Sequence, residues 1–269
     1  MSITGSRIAK LCLALFFFSG FVQKASGEGL WSESKVSLDV TYASKYIARR
    51  GVDFFGDGPA IHPNLTVSFG ETGVYTGIWA AIPVENGCRD PFGDKCADWI
   101  EYDFYAGYGQ TLWKEATFAT VYDLSYAYLY YPKQTRQDQH AIGLKFTHPN
   151  VLPVIGPSRP YPYWGLYYTW RVFNVGRDYR EALLGIGYDI PVFSHTASTF
   201  VDAIWGDGPG GSINSQGITR VRTGISTSFE LGGLTLTPAL IYQAAKKETN
   251  PRSWLESELW FKLKVSFSQ

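Results

Sequence analysis

No apolar stretch after residue 22 is long enough to form a bilayer-crossing helix, which takes roughly 20 consecutive apolar residues. That excludes a helical membrane protein. The 24 basic residues balance the 24 acidic ones, so bulk charge recruits neither nucleic acid nor an anionic membrane surface. There are only four histidines, and none stands in a His-x-Ser spacing. His62, His140 and His148 are scattered, and Ser194-His195 falls in an expected turn. Nucleophilic catalysis needs a nucleophile and a base within hydrogen-bond reach. No such set is visible, so no enzyme activity, catalytic residue, metal or cofactor is expected. The nearest thing to a metal site is Glu85, Asp90, Asp94 and Asp98, oxygen donors whose spacing is not that of a calcium loop; a solvated turn is the better reading. What is abundant is aromatic: 9 Trp, 18 Tyr and 17 Phe, beside 28 Gly. Aromatics and glycine without long apolar runs fit a chain that crosses a bilayer with strands. In hydrocarbon every backbone polar group must be paired internally, which leaves only helices and closed barrels.

The first residues read as an export signal. Arg7 and Lys10 precede the apolar run LCLALFFFSGFV, and Ala25-Ser26-Gly27 puts small residues at a cleavage site. That order predicts a signal peptide over 1–27, with the mature chain starting at Glu28 and 28–269 forming one barrel domain. Two cysteines remain after cleavage, Cys88 and Cys96. Outside the cytoplasm an even pair reads as a disulfide, here closing the segment ENGCRDPFGDKCAD; two free thiols or half of a metal site are the alternatives.

The main signal is strict alternation, the period of a strand with two different faces. Val36, Leu38, Val40 and Tyr42 alternate with Ser37, Asp39 and Thr41. Tyr102, Phe104, Ala106 and Tyr108 alternate with Glu101, Asp103, Tyr105 and Gly107. Leu259, Phe261, Leu263, Val265 and Phe267 alternate with Glu258, Trp260, Lys262, Lys264 and Ser266. Twelve strands are expected, at 35–46, 58–69, 74–84, 98–109, 114–130, 138–148, 163–174, 178–190, 197–206, 217–231, 234–244 and 253–267. Many are about ten residues long, the length of a tilted membrane-crossing strand. The fifth is longer and would rise above the membrane. Short turns such as 70–73 and 232–233 alternate with long loops at 47–57, 85–97, 207–216 and 245–252, the asymmetry of outer-membrane barrels. The Pro-rich segment 149–162 is the misfit, a long connection on the short-turn side. It is either an extra feature there or a sign that the count is off by two. Pro238 should mark an irregularity in its strand.

A soluble β-sandwich also alternates. Against it, the apolar faces carry Tyr42, Tyr102, Tyr126, Tyr128, Trp164, Tyr168, Trp170, Tyr188, Tyr242 and Phe267 toward strand ends, where interfacial aromatic girdles sit. The last strand is similar to the terminal signal read by the barrel-assembly machinery, although Ser268 and Gln269 follow Phe267. The fold class is therefore all-β, a transmembrane antiparallel up-and-down barrel of about 12 strands.

One run of motifs is more specific. Ser44 and Tyr46, then Arg50-Gly51, Pro59-Ala60, Gly73 through Trp79, and Glu101, Asp103 and Tyr105 follow in order. Together with FELGGLTLTPALIYQ near the end, this series resembles the TorF-type porins, also known as the Gcw_chp family of bacterial proteins. The resemblance covers most of the mature chain and is weakest over 149–215. It implies an outer-membrane barrel with a channel role and carries over no catalytic residue.

The expected function is passive diffusion of small hydrophilic solutes through the outer membrane of a two-membrane bacterium. A non-conducting structural or adhesive barrel is the alternative, and a rim enzyme acting on lipid a weaker one. Expected partners are outer-membrane lipid and lipopolysaccharide, the assembly machinery and the solutes themselves. A lipid-facing charge is costly, so the charged parity is assigned to the lumen. The constriction candidates are Asp39, Glu101, Asp103, Asp123, Arg220, Arg222, Glu256, Glu258, Lys262 and Lys264. In a twelve-strand ring the fourth and tenth strands are opposite, which sets Glu101 and Asp103 against Arg220 and Arg222 as a transverse field. Alternatively, those arginines pair with Glu256 and Glu258 and close the lumen.

Overall fold

The computed structural model describes residues 34–47, 55, 58–84, 100–172, 178–207, 217–246 and 257–268. The expected signal peptide, the cysteine loop with its acidic set, Arg50-Gly51 and Glu256 lie outside the described residues.

Where polar and apolar residues alternate, the chain is extended. The strands are β1 (Ser34–Ala43), β2 (Ala60–Phe69), β3 (Val74–Pro83), β4 (Glu101–Leu112), β5 (Thr120–Tyr130), β6 (Gln139–Thr147), β7 (Tyr161–Arg171), β8 (Tyr179–Val192), β9 (His195–Gly206), β10 (Gly217–Thr227), β11 (Phe229–Leu231), β12 (Leu234–Ala245) and β13 (Glu258–Ser268). Sequence neighbours pair antiparallel from β1 through β10. Two further pairings close the sheet on itself: β1 on β13, with Val40 opposite Val265, and β10 on β12, with Ile225 opposite Leu240. β10 and β11 are two pieces of one stave, since both pair with β12 in one register. The wall therefore has twelve staves. At about 4.8 Å between strands and a tilt near 40°, such a wall has a backbone radius of roughly 12 Å.

The break between β10 and β11 has a cause in the neighbouring strand. Pro238 has no N–H to give. It keeps its place opposite Leu263 on the β13 side. On the other side, pairing lapses between Ser226↔Ala239 and Phe229↔Leu236. A side-chain bond of 2.9 Å between Ser228 Oγ and Thr237 Oγ1 spans the lapse. The expected irregularity is thus carried by the partner strand, with no shift of register.

Both faces follow the alternation. Leu259 is 56% exposed and Phe261 40%, while Trp260 between them is 4% exposed. Val221 and Ile225 face out on β10 and Arg220 is buried within. The apolar parity is the outer one, the reverse of a water-soluble sandwich and the arrangement a bilayer requires.

The short turns gather at one end. Gly70–Thr72 forms a single 3-10 turn ending at Gly73, with φ 82°. Gly232-Gly233 carries φ 57° and 84°, a tight hairpin that side chains with a Cβ resist. Phe193-Ser194 joins β8 to β9. The segment 148–160 lies at this same end between β6 and β7, so the strand count holds and the Pro-rich stretch is an added feature there. It is held by an Ile155↔Ser158 bridge, by Arg159 donating to the Asn150 carbonyl at 3.1 Å, and by the Tyr188 hydroxyl on the Ile155 carbonyl.

Two expectations are corrected. The fifth strand does not begin at 114: residues 113–119 form the β4–β5 turn, started by Trp113 at φ 50° and held by Ala116 N–H on the Trp113 carbonyl and Ala119 N–H on the Ala116 carbonyl. The first long loop is not wholly external. After β1 the chain turns into the barrel mouth, where Tyr46 and Phe55 are buried with Ala60, Ala81 and Tyr131 against Trp79 and Leu129.

Candidate functional site

The lumen is built from the polar parity, and its packing rests on glycines. Inward glycines sit directly across from inward rings: Gly77 from Tyr105 and Gly107 from Tyr75, Gly143 from Tyr167, Gly185 from Tyr163 and Gly187 from Tyr161, and Gly224 from Phe200. In each pair the ring lies over the bare backbone, in the space where a Cβ would be. This lets tyrosines lie along the wall and leaves room in the middle of a narrow barrel. The hydroxyls then reach polar partners, with Tyr75 donating to Asp123 at 2.7 Å and Tyr105 to Asn64 at 2.8 Å.

Among the described residues, two chambers are found inside this lining. The first, about 330 Å³, lies at the mouth and includes Lys45, Tyr46, Ile47, His62, Trp79, Glu101, Asp103, Tyr131 and Lys262. Its wall is partly the inward-folded chain. Tyr46 donates to Glu101 at 2.5 Å, and its ring packs on Phe55 and His62 with centroids 5.0 and 5.1 Å away. Burial and the adjacent Glu101 carboxylate hold the Tyr46 phenol well above its ordinary value, so it remains a neutral donor. Lys45 meets Glu258 at 2.6 Å and ties the fold-in to β13. The second chamber, about 390 Å³, includes Lys145, Tyr161, Tyr163, Tyr167, Phe200, Asp202, Arg222, Gln243, Trp260 and Lys262. Lys262 and Ile47 line both chambers.

The structure gathers most of the sequence-derived lumen residues on the inner face, with partners that differ from those expected. Glu101 and Asp103 line the mouth. Asp39 accepts from Asn64 at 3.4 Å and lies 3.9 Å from Lys264. Asp123 takes the Tyr75 hydroxyl. β4 and β10 are six staves apart in the ring, hence opposite. Yet Arg220 pairs with Glu181 at 2.6 Å, both almost fully buried. Arg222 grips Asp202 with two bonds of 3.0 and 2.9 Å. Each arginine is thus matched by an acid on its own side, which removes most of the expected transverse field. The described glutamate of the alternative, Glu258, goes to Lys45 instead. Sequence reasoning missed Lys45, Tyr46 and Phe55 as lumen residues, and it left Trp260 out of the constriction set. Lys45 and Tyr46 fell in the expected first strand, 35–46, which ends at Ala43; for Phe55 the signal available was an aromatic inside a supposed external loop.

The histidines make no catalytic set among the described residues. His62 stacks on Trp79 at 5.0 Å. His140 faces outward, bonded to the Tyr126 hydroxyl at 2.7 Å and stacked on Trp170. His148 lies between Thr120 and the Trp164 N–H, and His195 lies against Phe229.

Comparison with known proteins agrees with this architecture. Residues 28–149 match the family described as "Bacterial protein of unknown function (Gcw_chp)", the family resembled by the motifs from Ser44 to Tyr105. No curated protein matches the chain. Among solved structures, the NanC porin is 11% identical with a TM-score of 0.52, the match covering 86% of this chain and 98% of that one. An outer-membrane channel from Pseudomonas putida F1 is 10% identical with a TM-score of 0.54, covering 88% of this chain and 96% of that one. At such identities the likeness is one of fold: a closed outer-membrane barrel of the kind channels use.

Proposed function

For this chain, matched to the Gcw_chp family over 28–149 and folded as outer-membrane channels fold, we propose a narrow outer-membrane channel for passive diffusion of small hydrophilic solutes. The observation that carries the reading is the pair of chambers inside the ring, whose linings share Lys262 and Ile47. A barrel that served only as a scaffold would gain stability by filling that volume with apolar side chains. This one keeps it lined by Glu101, Asp103, Lys145 and Lys262. The inward-folded 44–47 segment and Phe55 narrow the passage at the mouth, which limits the channel to small solutes.

The second reading is a non-conducting structural barrel. Its support is the same mouth cluster of Tyr46, Phe55 and Tyr131, buried together at the rim of the lumen. Swelling of liposomes containing the purified protein separates the two. The channel reading expects swelling in small polyols that falls off as solute size grows; no swelling in any solute, glycerol included, sinks it.

A further inference from the structure

We propose that the inner chamber is a binding site for small organic anions, solutes with a carboxylate on a compact hydroxylated body. This rests on the channel reading and names its solute class.

The carboxylate of the chamber lining, Asp202, is already engaged. Both Asp202 oxygens are held by Arg222, and Oδ2 also takes the Tyr163 hydroxyl at 3.2 Å. Among the described residues of the lining, the Trp260 indole is a donor left without a partner. Trp260 is 4% exposed, lines the chamber, and its Nε1–H meets no acceptor. An indole N–H can only donate, and a buried donor without a partner is a cost to the fold that an arriving acceptor relieves. Lys262 and Lys145 line the same chamber, and neither forms an ion pair with a described carboxylate; the Lys145 ammonium sits 5.2 Å from the Tyr163 ring centre. β6 and β13, which carry them, are six staves apart, so the two cations stand on opposite walls. With Asp202 matched by Arg222, the chamber keeps two positive charges facing inward. An anion held between opposed ammonium groups, with an indole N–H on one oxygen, satisfies all three. The Tyr167 and Phe200 rings offer flat apolar faces to the body of the solute, and about 390 Å³ accepts a hexose-sized acid. Lys262 also lines the mouth chamber, so an anion reaches it before passing inward.

The test uses the full mature chain in planar bilayers under a KCl gradient, with gluconate and glucose as probes. The expected result is a reversal potential on the chloride side and a chloride current reduced by millimolar gluconate but not by glucose. The Lys145→Gln/Lys262→Gln double variant should lose the anion preference and weaken the gluconate block by about tenfold or more. Trp260→Phe should weaken the block and leave the preference in place. A current with no anion preference, or a block unchanged in the double variant, overturns the site and leaves the channel standing. Absence of any current overturns the channel reading. The site is then decided by saturation-transfer NMR of gluconate with the protein in micelles. Transfer in wild type that is lost in the double variant upholds it, and no transfer in wild type overturns it.

Discussion

Replacing Gly107 by Ala adds a single methyl group, and the fold makes that methyl costly. A Cβ at 107 would stand 2.8 Å from Tyr75 Cε1 and closer still to Cζ and the hydroxyl. The ring has to leave the backbone it covers, and its hydroxyl then leaves Asp123, now 2.7 Å away. Overpacking in a tight interior costs about 1–3 kcal/mol, and a carboxylate deprived of its donor about 1–3 kcal/mol more. The sum expected is about 2–4 kcal/mol once some relaxation is allowed. Gly109→Ala, two residues along the same strand, is the internal control. A Cβ there finds its nearest atoms at 3.4 Å, in ordinary contact, so it should cost less than about 1 kcal/mol. In a Tyr75→Ala background the penalty of Gly107→Ala should vanish. The assay is urea unfolding in lipid vesicles, followed by tryptophan fluorescence and by heat-modifiable migration on gels. If Gly107→Ala and Gly109→Ala unfold alike, the rings do not occupy the glycine notches.

Three further outcomes follow from the facing and pairing of side chains. Leu263→Arg puts a cation on the lipid face of β13 opposite Tyr42 and Pro238 and should cost about 2–4 kcal/mol, whereas Lys262→Leu on the lumen face should cost much less; equal unfolding midpoints would mean that the two faces are assigned wrongly. Arg222→Ala strands the 3%-exposed Asp202 and should destabilise by about 3–5 kcal/mol, with most of the loss regained in the Arg222→Ala/Asp202→Ala double variant; additive losses would contradict the pairing. Cys88 and Cys96 are expected to be joined, so alkylation of unreduced exported protein should label neither, and labelling of both would refute the bond.

Alternation made the barrel legible because period 2 fixes which residues share a face. Lys262 and Leu263 could be assigned to opposite sides of the wall from sequence, and so could Glu101 and Tyr102. Stave count followed from turn chemistry at Gly70–Gly73 and Gly232-Gly233. Pairing partners were not legible. Arg222 bonds to Asp202 directly across in register, but Arg220 reaches Glu181 two staves away, and such a reach depends on strand stagger and tilt, which a sequence does not state. The start of β5 was misplaced because 114–119 contains no Gly or Pro to announce a turn. The positive φ there falls on Trp113, where the sequence offers no warning. The inward course at the mouth went unread because 44–46 continued the first strand's pattern on paper while the strand ends at Ala43, and because Phe55 lies in a loop, which has no period: only burial distinguishes an aromatic that plugs a mouth from one that fringes a membrane.

The most direct test of the central claim is single-channel recording of the purified protein in planar bilayers. The account predicts small, discrete conductance steps through the two chambers, enlarged when Tyr46→Ala and Phe55→Ala open the mouth. A protein that inserts, shown by heat-modifiable migration, yet passes no current in wild type or in the Tyr46→Ala/Phe55→Ala variant would contradict it.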